Sequence, residues 1–322
     1  MSLTVRTAFN GRVPLRDRLL ALLVVLLWGL NFPATEIALE HFPPMLLVAL
    51  RWTLLAIPAI LFVPRPQVKL RWLLGTGAGI GLLQFAFLYA GMAAGMPSGL
   101  ASLVLQASAP FTMLLAGFLL RERISRRQAI GICVAVLGLA AIAIYRAQVA
   151  ALLPVILTLA GALGWAIGNV CSRQARAPKP MQLTMWMAVV PPVPMMILSL
   201  IFDGPDRIAR SFTTLTDPKA WISVLALLYI AVFAAVIGYG IWNTLLSRNP
   251  SSQVAPFSML VPVIGVLSSW IAFGEGISLV ELIAGAAVIG GVLFASRPAK
   301  VTIAPEFLPA EQKPTADEPV GS

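Results

Sequence analysis

The polar side chains of this chain that could hold a solute are few, and they recur in pairs. Trp28 and Asn31 stand three residues apart, on one face of a helix, just ahead of Pro33. Pro33 cannot donate a backbone hydrogen bond and predicts a bend there. Trp165 and Asn169, four residues apart, repeat the arrangement. An indole beside a carboxamide presents an apolar face, a donor and a donor–acceptor group. That chemistry suits holding a small zwitterionic or amphipathic solute better than breaking bonds. Helix packing through an interhelical Asn hydrogen bond is the competing reading. Gln84, Tyr89, Gln106, Tyr239, Trp242, Asn243 and Ser258 are further polar or aromatic residues inside apolar runs. Singly, each is more readily explained by packing; as a set they predict a lined cavity.

Two charges stand out. Arg51 is the one clear cation within an apolar run, about 12 Å along a helix from Pro43. Glu36 lies toward the same end of its own run. Pairing of the two, or outward snorkelling of Arg51, is the expected arrangement; binding of a substrate carboxylate by Arg51 is the alternative. Both are candidates for an intramembrane charge or coupling role. Glu122 and Glu275 fall at run ends and read as structural.

Catalytic equipment is missing. The chain has one histidine, His41, in a predicted loop, and two cysteines, Cys133 and Cys171, inside apolar runs without disulfide or metal spacing. No GxxxxGK[ST] phosphate loop occurs. No catalytic residue, metal or cofactor is therefore expected, and an intramembrane enzyme is the remote alternative. No Asp or Glu is expected at mid-span, so a buried carboxylate relay for protons is not evident, and both proton antiport through Glu36 and facilitated transport stay open.

The elements that would position these residues are membrane helices. Hydrophobic residues make up 59% of the 322 and charged residues 11%, against about 25% charged in a soluble domain. The net charge is +10 and the isoelectric point 10.4, but the basic residues sit in short clusters between apolar runs, which argues against nucleic acid. Ten segments are long enough to span a bilayer: roughly 18–39, 43–63, 71–93, 97–120, 127–145, 150–172, 181–202, 220–246, 251–273 and 278–296. The first is too long for a signal peptide and lacks a cleavage site. Residues 1–17 form a basic N-terminus, and 298–322, rich in Pro, Glu and Ala, reads as a disordered tail.

Lys and Arg concentrate in alternate loops. The N-terminus, the loops near Arg65, Arg121, Arg173 and Arg248 and the start of the tail hold most of them; the other loops hold Arg146, Arg207, Arg210 and Lys219. The positive-inside rule then places both termini in the cytoplasm.

The chain is also written twice. Pro97-Ser98, Glu122 and Gly138 recur as Pro250-Ser251, Glu275 and Gly291 at one common offset. Five spans per copy is an odd number, so the second copy, 150–297, must be inverted relative to the first, 18–146, as in many secondary transporters. The predicted fold is an all-α integral membrane protein of ten helices in two inverted five-helix repeats. Pro110 and Pro262 should bend the fourth and ninth spans.

WGLNF at 28–32, PPMLLVALRW at 43–52 and the P…E…G pattern at 110–138 and 262–291 resemble the EamA family of the drug/metabolite transporter superfamily. QFAFLYAGMAAGMPSGLASLVLQA at 84–107, GYGIWNTLLSR at 238–248 and VAPFSMLVPV at 254–263 resemble its branch of O-acetylserine/cysteine exporters. The resemblance spans residues 18–297. It implies a bacterial inner-membrane carrier that exports small amino acids or related metabolites by alternating access. It also implies a central cavity near Trp28, Asn31, Gln84, Trp165, Asn169, Tyr239 and Trp242. Broad-specificity drug or metabolite efflux by the same superfamily is the alternative. The expected partners are a small-molecule substrate and the lipid bilayer, with no nucleic acid and with the chain acting as a monomer.

Overall fold

The computed structural model describes residues 14–121, 124–149, 151–249 and 251–296. The predicted tail at 298–322, most of the basic N-terminus and Glu122 lie outside the described residues. Among the described residues the regular structure is entirely helical. Among the described residues nine helices are long and apolar enough to cross a membrane: Leu15–Leu39, Pro44–Phe62, Leu70–Ala93, Ser98–Leu120, Arg126–Gln148, Leu153–Ala175, Pro180–Asp203, Pro218–Arg248 and Leu279–Ser296. A shorter apolar helix, Phe257–Phe273, stands where the ninth predicted span falls, so the helix at Leu279–Ser296 is the tenth. The short helix Pro205–Thr213 between the seventh and eighth spans was not anticipated; its polar composition hides it from a search for apolar runs.

Local chemistry sets many of the ends. Pro44, Pro154, Pro180, Pro205 and Pro218 occupy first helical turns, where a missing N–H costs nothing. Left-handed residues close three helices, at Arg121 (φ 54°), Arg176 (φ 45°) and Gly274 (φ 66°).

Contacts between span ends sort the loops into two sets. At one end Asn249 Nδ2 donates to Asp17 Oδ2 (2.7 Å), Trp186 Nε1 donates to the Val63 carbonyl (2.8 Å), and the Arg127 guanidinium lies 5.7 Å from the Phe294 ring centre. At the other end His41 Nε2 lies 2.8 Å from the Ser211 carbonyl oxygen, Glu275 meets Ser98, and Arg146 pairs with Glu281 at 2.9 Å. Both ends of the described chain therefore lie at the first end of the bundle, called here the terminal end.

The helices approach closely where side chains are small. The fifth and tenth spans meet backbone to backbone: a Cβ on Gly291 would come 2.6 Å from the Gly131 carbonyl oxygen. The third and sixth do the same, with a Cβ on Gly164 falling 2.8 Å from the Gln84 amide nitrogen. In lipid, such small-residue seams replace the hydrophobic effect as a source of helix–helix attraction.

Among the described residues six spans are interrupted along their length; the seventh tightens to a 3₁₀ turn at Met187–Val189, breaks ahead of Pro192 and widens to a π-helical stretch at Ser199–Asp203. The first breaks at Leu30, between Leu15–Gly29 and Asn31–Leu39, where Pro33 leaves a carbonyl of the preceding turn without its helical donor. The third carries a π-helical stretch at Gly77–Leu83 and the eighth one at Tyr229–Ile237. The fourth tightens to a 3₁₀ turn at Leu105–Ala107 ahead of Pro110, and the ninth at Ala255–Leu260 ahead of Pro262. Widened or tightened turns inside long helices often accompany functional sites.

Candidate functional site

The interruptions of the first, third, fourth, eighth and ninth spans surround a cavity of about 340 Å³. Trp28 and Asn31 reach it from the first span, Gln84 from the third and Gln106 from the fourth. Trp165 and Asn169 enter from the sixth, Tyr239 and Trp242 from the eighth, and Ser258 from the 3₁₀ turn of the ninth. The two Trp–Asn pairs thus line one space. Of the residues singled out as cavity-lining, Tyr89 does not line it: the ring is fully buried behind the wall, and its hydroxyl accepts a hydrogen bond from Arg51 Nη1 at 2.6 Å. Asn243 also turns away, donating to the Tyr239 carbonyl one turn back at 2.9 Å.

One wall is aromatic. The Trp28 ring lies 5.4 Å from that of Tyr239 and 5.2 Å from that of Trp242, tilted against both. Trp28 Nε1 donates to the Ala234 carbonyl (2.9 Å), and the Tyr229 hydroxyl donates to the Leu27 carbonyl (3.0 Å), locking the first span to the eighth. The π-helical stretch at Tyr229–Ile237 frees backbone carbonyls for such partners. Across the cavity, Asn169 Nδ2 donates to Thr112 Oγ1 at 3.3 Å. Asn31 and Gln84 are buried, and each leaves its side-chain carbonyl oxygen without a hydrogen bond.

Arg51 corrects an expectation. It neither pairs with Glu36 nor snorkels outward; it is 3% exposed and lines the cavity. Its guanidinium carbon sits 4.1 Å from the centre of the Phe85 ring, and Tyr89 holds one nitrogen. The reason is the packing of the second span against the third. Phe85 and Tyr89, one turn apart, form a cation-binding face at the height of Arg51.

Glu36 belongs to a different cluster, at the opposite end of the bundle from the terminal end. There the Glu275 carboxylate accepts from the backbone N–H groups of Ser98 and Gly99, both at 3.1 Å, and the Ser98 and Ser269 hydroxyls are 2.9 Å apart. The Glu36 carboxyl reaches Ser98 and Glu275, and its Oε2 is buried without a hydrogen-bond donor. Beside this cluster, Phe42, Leu46, Leu47, Met92, Met96 and Leu100 fill the end of the bundle with buried apolar volume. The cavity is thus bounded at this end. Its lining extends the other way, through Asn169 and Ser258, toward the terminal end.

Other participants were missed by sequence reasoning. Phe32, Phe85, Ser102, Ser108 and Met259 also line the cavity. Phe32 and Phe85 adjoin Asn31 and Gln84, and Ser102 stands one turn before Gln106, signals that adjacency to the chosen polar residues would have found. Asp203 is a buried carboxylate that caps the second span, accepting from Leu46 N–H at 2.9 Å and from the Ser199 hydroxyl at 2.8 Å. Glu281, also buried, lies within the first turn of the tenth span and pairs with Arg146, which lies in the last turns of the fifth span's helix and not in a loop.

The cavity lining contains an arginine, amides, hydroxyls and aromatic rings, and no carboxylate, imidazole or thiol. Such a set can bind and orient a solute; it offers no nucleophile paired with a base. Among the described residues, no group of three or more His, Cys, Asp or Glu side chains could hold a metal ion.

Known proteins resemble the chain over most of its length. Residues 18–144 and 152–297 each match the model of the EamA-like transporter family. A protein of Salmonella typhimurium named "Probable amino-acid metabolite efflux pump" is 43% identical over 283 residues, 86% of this chain and 93% of the relative. Its namesake in Escherichia coli is 41% identical over the same coverage. A solved crystal structure at 22% identity covers 87% of this chain and 96% of its own with a TM-score of 0.55, a likeness of fold.

Proposed function

The chain belongs to the EamA-like transporter family, a multi-pass membrane transporter and not an enzyme, and on that premise we propose that it exports small amino acids or related metabolites of the cysteine and O-acetylserine kind. The observation that carries the reading is the meeting of Trp28, Asn31, Trp165 and Asn169 in one mid-depth cavity of about 340 Å³. That is near the small end of ligand sites and matches a small polar metabolite. The relatives at 41% and 43% identity, named as amino-acid metabolite efflux pumps, support the same class of solute.

The transport cycle is alternating access in a bacterial inner membrane. The excess of Lys and Arg in the loops of the terminal end supports a cytoplasmic placement of that end. The cavity then extends toward the cytoplasm, and the closed end carrying Glu275 and Ser98 faces outward, which is the state in which an exporter loads. An inverted repeat accounts for the likeness of the third span to the eighth, each π-helical in part, and of the fourth to the ninth, each tightened to a 3₁₀ turn; the breaks of the first and seventh spans have no counterpart in the continuous sixth and second.

Counterflow in proteoliposomes tests the proposal. Vesicles loaded with unlabelled cysteine and O-acetylserine are offered labelled serine, cysteine or threonine, with and without a pH gradient. Uptake above that of empty liposomes supports a small-amino-acid carrier, and a response to the gradient supports proton coupling. Folded protein that moves none of these solutes but moves hydrophobic drugs would replace the proposal with broad efflux.

A further inference from the structure

Among the described residues Arg51 is a buried cation with no acid to balance it. It is 3% exposed, lies in the second span and forms no ion pair with any described carboxylate. The cavity it lines contains no Asp or Glu. Its contacts are neutral: the Tyr89 hydroxyl at 2.6 Å and the face of Phe85 at 4.1 Å, while its Nε has no hydrogen-bond partner. A guanidinium cannot shed its proton to escape this position. At membrane depth such a charge is costly unless a counter-charge arrives.

The surroundings also hold the group in place. Tyr89 fixes one nitrogen, Phe85 lies against the guanidinium, and Phe85 and Tyr89 brace one another edge to face at 5.5 Å. A planar guanidinium so held presents its remaining donors in a fork that fits a carboxylate in two-point fashion. Asn31 and Gln84, which line the same cavity, each have a side-chain oxygen without a donor. An ammonium group is all donors.

We propose that Arg51 is the anchor for the carboxylate of the transported solute, positioned by Tyr89 and Phe85, with the Asn31 and Gln84 amides receiving its ammonium group. The inference rests on the amino-acid reading above and narrows it. The ligand class is a solute with a free carboxylate and a neighbouring ammonium. The aromatic wall of Trp28, Tyr239 and Trp242 faces the variable side chain and discriminates weakly. Amines without a carboxylate are rejected, because they would leave Arg51 uncompensated beside a second positive charge.

Binding is measured on the full chain in lipid nanodiscs through the tryptophan fluorescence of the cavity. The probes are serine, O-acetylserine, serine methyl ester and ethanolamine. The wild type should bind serine and O-acetylserine, with the ester and ethanolamine weaker by about 100-fold. Arg51→Gln should bind serine and its methyl ester alike, and Arg51→Lys should fall between. If Arg51→Gln does not fold, Tyr89→Phe replaces it and should reduce the preference for serine over its ester by about tenfold. Equal binding of serine and its ester by the wild type overturns the anchor while leaving the amino-acid reading intact. Binding of ethidium with none of the four probes bound overturns both.

Discussion

Glu275 and Ser98 are joined by a charged hydrogen bond: the carboxylate that follows the ninth span accepts the backbone N–H that opens the fourth, at 3.1 Å, and takes the Gly99 N–H at the same distance. The first N–H groups of a helix have no partner within it, and a carboxylate placed there answers both that need and the helix dipole. Here the cap comes from a distant part of the chain, so capping one helix also clamps two spans together. The clamp lies at the non-terminal end of the bundle, where it ties the fourth span to the loop after the ninth.

Replacing the charge should loosen the clamp. Glu275→Gln keeps an acceptor oxygen but loses charge assistance, a cost of about 1–2 kcal/mol, or roughly a tenfold shift toward opening. With Cys133 and Cys171 replaced and a single cysteine placed at Leu100, thiol labelling from the non-terminal side should accelerate by that factor. An unchanged labelling rate would show that the contact does not hold the end closed.

The cavity pairs should separate transport from folding. Trp165→Ala and Asn31→Ala should each reduce amino-acid counterflow at least about tenfold, the scale of a lost hydrogen bond or aromatic contact. Both variants should still reach the membrane and elute as folded protein. Wild-type counterflow by both would place the solute elsewhere.

The Arg146–Glu281 pair should behave as a buried ion pair does. Glu281 also closes a capping box, its Oε2 accepting from the Ser278 N–H and hydroxyl at 3.0 Å. Arg146→Leu leaves that carboxylate uncompensated and should cost about 3 kcal/mol, whereas the double variant with Glu281→Gln should recover part of the loss. Thermal melting of the two variants in detergent measures the difference; equal melting temperatures would show that the charges are not coupled.

The glycine seam between the fifth and tenth spans should tolerate no side chain. Gly291→Val places branched carbon against the Gly131 carbonyl oxygen, within 2.6 Å at its Cβ. Overpacking of this kind costs at least about 1–3 kcal/mol. A sharp fall in folded yield by gel filtration is expected, and Gly290→Val, one residue away with open space around its Cβ, should be mild.

Much of the cavity was legible because membrane sequences are written with little noise. Where nearly every residue is apolar, Trp28, Asn31, Gln84, Gln106, Trp165 and Asn169 stand out, and helical spacing already places the pairs on single faces. Buried charges read less well. Arg51 was visible as an anomaly, but its setting depends on Phe85 and Tyr89, which belong to another helix. Asp203 and Glu281 stand near helix ends, where an acid looks solvated until the neighbouring helix is known. Tyr89 shows the same limit in reverse, a polar aromatic at the right depth whose ring points behind the cavity wall.

The sequence by itself determined the class of molecule: a bundle of membrane helices, the approximate extent of each span, and a short list of polar residues carried into lipid. These follow from hydropathy and helical period, which are local properties. The tertiary structure alone decided which of those residues share a cavity, that Arg51 stands apart from Glu36, and that Glu275 clamps the start of the fourth span. Those relationships join residues far apart in the chain, and the packing of small-residue seams, which sets the rotation of each helix about its axis, is what brings them together or keeps them apart.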